Sequence, residues 1–239
     1  MVAAAEIGHE VFVIPGQIGP KARSVLLWAQ QTIAAAGAYR YLEIGSFRGC
    51  TLLPHVICDE CVGALSIDLR PQVTPDERGD FRGYHRVTTE SMVALIKECA
   101  SDVDVDAKLE ALTDDSNVLK ARPDLPRHNL ALIDGEHTNT AVFVDALNVL
   151  RVMADDCIIL FDDTSVVLDG VLNAAAMIED RGRASRLLFT RSGISIPAVG
   201  RYAKSAKPPP RYLIDLATAR ADNRRVIAEA AQRGGAAEI

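Results

Sequence analysis

Short apolar runs alternate along the chain with longer stretches of helical periodicity. Tyr41–Ile44, Ala64–Asp68, Lys108–Leu112, Asn129–Ile133 and Cys157–Phe161 are brief and almost wholly apolar, as strands buried on both faces are. Between them, 21–36 carries Val25, Leu26, Trp28, Ala29, Ile33 and Ala34 at near-helical spacing. Thr89–Ala100 does the same with Met92, Leu95, Ile96 and Cys99, and Thr140–Met153 with Val144, Leu147, Val149 and Leu150. Shorter helices are predicted at 51–60, 117–122 and 170–181. Two last strands, Leu187–Thr190 and Ser195–Ala203, are joined around Ser192-Gly193. Beyond Pro208-Pro209-Pro210, Tyr212–Gln232 reads as a C-terminal helix. The alternation predicts an α/β fold: a doubly wound, mostly parallel sheet, helices on both faces, and a closing antiparallel hairpin. The expected organisation is one domain over 1–203, including the N-terminal helix 21–36, then a linker and helix over 204–239.

The predicted strands share one anomaly, which is that they end on polar or acidic residues. Tyr41–Ile44 contains Glu43 and runs into Gly45-Ser46-Phe47-Arg48-Gly49. The others lead to Asp68, to Asp114-Asp115-Ser116, to Asp134-Gly135-Glu136-His137, and to Asp162-Asp163-Thr164. An unpaired buried carboxylate is costly, so five such ends in register predict a ligand at the carboxyl edge of the sheet. Gly45 suits a turn that leaves the strand at a positive φ, and Gly49 a close approach of backbone and ligand at a helix start. An acid after the second strand suits ribose hydroxyls. The spacing Gly45-x-x-x-Gly49, with Phe47 where a middle glycine should stand, argues against a dinucleotide.

Composition narrows the class. The chain has 239 residues, 49% hydrophobic and 5% aromatic, so its core should be aliphatic. A net charge of −6 argues against broad nucleic-acid binding. No apolar run reaches membrane-spanning length and the N-terminus lacks a secretory pattern, so the expectation is a cytoplasmic protein with no membrane partner. Five cysteines, an odd number, suggest reduced thiols. His55, Cys58 and Cys61 have a metal-like spacing but no second pair nearby, which disfavours zinc.

Glu43-x-Gly45-x-x-x-Gly49 with Asp68 resembles the first two motifs of class I S-adenosylmethionine-dependent methyltransferases. The pair Leu132-Ile133-Asp134-Gly135-Glu136-His137 and Phe161-Asp162-Asp163-Thr164 is similar to small-molecule O-methyltransferases of the macrocin and cephamycin-pathway type. The resemblance spans roughly 12–203. It implies a Rossmann-like, seven-stranded sheet with S-adenosylmethionine across the ends of strands one to four. By position, Glu43, Gly45, Ser46 and Gly49 would meet or shape the methionine end, Asp68 the ribose, and Asp115 and Ser116 the adenine. Asp134 would border the cofactor. In metal-dependent members acids matching Asp134, Asp162 and Asp163 bind Mg²⁺, and an all-oxygen set does favour a hard cation. Glu136 or His137 would take the acceptor's proton. The expected reaction is Mg²⁺-assisted O-methylation of a small polar molecule, a sugar or natural product. The alternatives are a metal-independent N- or carboxyl-methyltransferase and a non-catalytic S-adenosylmethionine-binding protein. The acceptor should be set by the loop 69–83, by 164–169 and by the N-terminal segment, and the C-terminal helix offers a surface for a homo-oligomer.

Overall fold

The computed structural model describes residues 1–70, 76–80 and 86–235. Helix α1 (Pro20–Ala34) leads into β1 (Tyr39–Ile44), the four-residue α2 (Leu53–Val56) and β2 (Cys61–Ile67). Then come α3 (Thr89–Cys99), α4 (Val105–Lys108), β3 (Leu109–Leu112), a 3-10 turn (Ser116–Ala121) and β4 (His128–Ile133). The second half holds α5 (Asn139–Val149), β5 (Met153–Phe161), α6 (Thr164–Asp180), β6 (Ser185–Thr190) and β7 (Ser195–Val199). It closes with α7 (Tyr202–Ser205), β8 (Leu213–Ile214) and α8 (Leu216–Gly235).

The strands form one sheet in the order β3-β2-β1-β4-β5-β7-β6-β8. The first five are parallel and the last three antiparallel. The order reverses beside β1, the topological switch point where ligands bind in such sheets. Side chains alternate across each strand. Tyr39, Tyr41, Leu130, Leu132, Ile158 and Leu160 pack under α1, α2 and α3. Leu42, Ile44, Ala131, Ile133, Ile159 and Phe161 pack under α5 and α6. Both faces are therefore covered, as the apolar strands require.

The departures from expectation are local. The sheet has eight strands, because Leu213–Ile214 adds two residues to the β6 edge; so short a pairing leaves no periodic signal. The helix expected over 51–60 shrinks to Leu53–Val56. Residues 164–169, expected as a loop, form the first turns of α6, which is kinked at Val167. Asp162 and Asp163, the latter at φ 48°, make the turn from strand to helix. Helix α8 lies against α6 of its own chain, burying Ala219 and Ala230 and bonding Asn223 to the Ser165 carbonyl. His55 is core rather than ligand. It bonds Tyr39 and stacks on Tyr41 at 3.6 Å, and burial pushes its pKa down to about 3. All five cysteines are free. No helix among the described residues is long and apolar enough to cross a membrane.

Candidate functional site

The parallel register brings four strand ends to one level. Ile44 sits beside Ile67 and Ile133, and Ile133 beside Phe161. Each following residue adds one more rung: Gly45 N–H to Ile67 C=O (2.9 Å), Asp134 N–H to Ile44 C=O (2.9 Å), Asp162 N–H to Ile133 C=O (3.0 Å). Asp68 N–H does the same to Leu112 C=O. Beyond this rim lies a cavity of about 520 Å³, a size suited to a nucleotide-sized ligand. Of the residues singled out in the sequence, Gly45, Ser46, Asp68, Asp115, Ser116, Asp134, Glu136, His137, Asp162 and Asp163 all line it. Glu43 and Gly49 do not.

The turn after β1 explains both exceptions. Gly45 has φ 83°, and a Cβ there would lie 2.0 Å from the Asp134 carbonyl oxygen, so only glycine fits between β1 and β4. Gly49, at φ 85°, faces the other way, toward α3, where a Cβ would meet Ile96 at 2.7 Å. Its smallness is required by packing against α3. Glu43 is fully buried beneath the turn and accepts hydrogen bonds from the Tyr41 and Thr51 hydroxyls, each at 2.6 Å. Burial lifts its pKa to about 7 against the pull of those hydroxyls. Thr51 does line the cavity, so Glu43 reaches the site through it.

On the far side, Asp68 Oδ2 accepts from the Phe47 N–H at 2.8 Å. Asp115 caps the 3-10 turn by accepting from Asn117 N–H at 2.7 Å. Ser116 is buried, and Asn148 donates to its hydroxyl at 2.9 Å. Beside it stands Asp145 of α5, a cavity residue the sequence reading missed. Burial lifts its carboxyl to about 6, with the Ser116 hydroxyl opposing. Its signal was available: Thr140, Ala141, Val144 and Asp145 repeat every helical turn on the cavity side of α5. Arg70, Arg78 and Gln17 were missed as well.

His137 stands between two acids. Its Nε2 is 3.2 Å from Asp134 Oδ1 and its Nδ1 is 3.0 Å from Asp163 Oδ2. Burial opposes its charge, but the two carboxylates prevail and lift its pKa to about 9, so it is an imidazolium at neutral pH. Burial raises Asp134, with His137 opposing and Asp163 and Asp68 adding to the rise; burial also raises Asp162, and Asp134 and Asp163 push it higher. Because Asp163 has already left the strand, it and Asp162 face the same cavity. Of the loop 69–83, 71–75 and 81–83 lie outside the described residues. The described part docks here: Glu77 N–H bonds the His137 carbonyl at 2.9 Å, Glu77 Oε1 accepts from Asn139 N–H at 2.6 Å, and Arg78 lines the cavity. Gly16, Gln17 and Ile18 bring the N-terminal segment to it too, whereas 164–169 stay out of the lining.

No curated protein shows a significant sequence match to the chain. Solved structures share its architecture. One is an O-methyltransferase from Bacillus cereus in complex with SAH, 10% identical, TM-score 0.53, with 82% of this chain and 89% of that one aligned. Another is the O-methyltransferase TomG from Streptomyces achromogenes, involved in tomaymycin synthesis and in complex with SAM, 14% identical, TM-score 0.52, covering 80% and 85%. At such identities the likeness is one of fold. A family profile described as a methyltransferase domain matches residues 42–164, about half of the chain, from Leu42 of β1 to Thr164 at the start of α6. That span contains every strand end of the rim, and the chain belongs to this methyltransferase-domain family.

Proposed function

We propose that the protein transfers the methyl group of S-adenosylmethionine to a hydroxyl of a small polar molecule. The observation that carries this reading is the common rim: a glycine turn, Asp68, Asp115 and Asp134 open into one cavity at the switch point of the sheet. The cofactors of the two solved O-methyltransferases support it. Gly45, Ser46 and Thr51 would hold the methionine end, Asp68 the ribose, and Asp115, Ser116 and Asp145 the adenine. Asp134 would close the cavity below the sulfonium. Gly49 and Glu43 act behind the turn, through its shape and through Thr51.

In methyl transfer an oxygen lone pair forms the new O–C bond while the S–C bond breaks. The electron pair stays on sulfur, giving a neutral thioether, and the hydroxyl proton must leave. Alignment of oxygen with the methyl carbon is most of the task. His137 already holds a proton at neutral pH between its two carboxylates, so it suits positioning of Asp134 and Asp163 better than base catalysis. Glu136, exposed on the cavity wall and held by the Thr138 hydroxyl at 2.9 Å, is the assigned proton acceptor.

The chemistry of Asp134, Asp162 and Asp163 suits Mg²⁺, but their arrangement does not. The His137 imidazolium occupies the space between Asp134 and Asp163, and no three ligating side chains among the described residues converge on a common point. No step of this mechanism runs through a metal. Isothermal titration with S-adenosylhomocysteine tests the reading: micromolar binding is expected, and no heat at high micromolar ligand overturns it. Methyl transfer to oxygen acceptors, followed by mass, then tests the reaction. Loss of turnover with retained cofactor binding in Glu136→Gln is the expected result.

A further inference from the structure

Arg70 lies two residues past the acid assigned to the ribose, and its side chain is 1% exposed. A guanidinium buried this deeply needs partners, and it finds them on three segments: the turn after β1, the end of β2 and the start of α3. Its Nε donates to the Phe47 carbonyl at 2.8 Å, and its Nη1 to Thr89 Oγ1 at 3.3 Å. Thr89 in turn bonds Thr113 Oγ1 at 2.6 Å, just past β3. Nη2 stands 3.3 Å from Asp68 Oδ2 and makes no hydrogen bond of its own among the described residues. Asp68 Oδ2 also accepts from the Phe47 N–H. Asp68 and Arg70 thus grip both backbone groups of Phe47 and pair with each other, closing a ring around a residue at φ 45°. A left-handed conformation is strained in phenylalanine and persists only where its surroundings impose it. Both inward contacts fall on Oδ2. Oδ1 of Asp68, a cavity residue, has no partner among the described residues.

We infer that Arg70 is a positioning residue for ribose recognition: it fixes Asp68 by one oxygen and presents the other to the vicinal diol of the cofactor. The inference rests on the function proposed above. The ring gives Arg70 a part in selectivity, distinct from a general part in stability. If Arg70 only stabilises the fold, its loss weakens all ligands alike. If it aims Asp68, its loss weakens only ligands that carry the diol.

The experiment is calorimetric titration of wild type, Arg70→Gln and Arg70→Lys with S-adenosylhomocysteine and with its 2′,3′-dideoxy analogue. Wild type should prefer the diol by roughly 100-fold, the scale of hydrogen bonds to a charged acceptor. Arg70→Gln should cut that preference about tenfold while changing affinity for the dideoxy analogue less than threefold. Arg70→Lys should behave alike, since one ammonium lacks the fork that reaches Phe47 and Asp68 together. In Asp68→Asn, adding Arg70→Gln should change the preference no further. Equal weakening of both ligands, or an unchanged preference, overturns the role of Arg70. Should Arg70→Gln fail to fold, Arg70→Lys is read by the same two criteria. Wild type that binds neither ligand overturns the functional reading itself, and the two failures are thereby distinct.

Discussion

The two glycines of the β1 turn differ in what faces them, and substituting each with alanine separates the site from the scaffold. At Gly45 an added methyl meets backbone: the Asp134 carbonyl oxygen at 2.0 Å, its carbon at 2.4 Å and Gly135 Cα at 2.7 Å. None of these can rotate aside, so the β1 and β4 ends must part. Left-handed backbone costs alanine about 1–3 kcal/mol, and overpacking adds about 1–3 kcal/mol. Gly45→Ala should therefore lose about 2–6 kcal/mol of unfolding free energy. Affinity for S-adenosylhomocysteine should fall at least tenfold, roughly 1.4 kcal/mol, because Asp134 and the turn both move. At Gly49 the same backbone strain applies, but the methyl meets the tip of Ile96 at 2.7 Å, a side chain that can yield. Gly49→Ala should lose about 1–3 kcal/mol and, once folded, bind the ligand within threefold of wild type. Urea unfolding gives the stabilities and calorimetric titration the affinities. A Gly45→Ala protein as stable and as avid as wild type would refute the reasoning, as would a folded Gly49→Ala protein that no longer binds.

Glu43, lifted by burial from 4.5 to about 7, binds its proton more tightly folded than unfolded. Its stabilising contribution is whole below about pH 4.5 and is lost as pH rises through about 7, a swing of roughly 3 kcal/mol. The difference in stability between wild type and Glu43→Gln, followed by urea unfolding across that window, should show this slope; a flat difference rejects it. His137, lifted from 6.5 to about 9 by Asp134 and Asp163 against its own burial, also stabilises through its folded-state proton. Relative to wild type, His137→Gln should be less stable at pH 6.5, with the deficit fading as pH rises through about 9. NMR titration of the imidazole should show no deprotonation near pH 6.5. Exhaustive dialysis against a chelator should leave methyl transfer within twofold; a larger loss that Mg²⁺ restores would return Asp134, Asp162 and Asp163 to the role of metal ligands.

What the chain disclosed in advance follows from burial. A strand covered on both faces must be apolar, so an acid at its end stands out against its surroundings, and Asp68, Asp134 and Asp162 were legible for that reason. Their common level was also legible, since parallel strands of similar length end together. Matters that depend on which way a backbone faces were not. Gly45 and Gly49 have the same composition and nearly the same φ, yet one admits Asp134 and the other α3. Asp145 was missed although its spacing from Thr140, Ala141 and Val144 puts it on the cavity side of α5, because an acid beside an apolar stripe has the pattern of a solvent-facing charge. The shared face of Asp162 and Asp163 was not legible either. Strand alternation would send the two side chains apart, and only the left-handed turn at Asp163 brings them to one cavity. The same turn brings Asp163 Oδ2 to His137 Nδ1, whose Nε2 lies beside Asp134. A single backbone conformation thus decides whether this rim is an open carboxylate cluster or a pair of acids bridged by a cation. Sequence shows the number of charges there, but their pairing depends on φ at one residue.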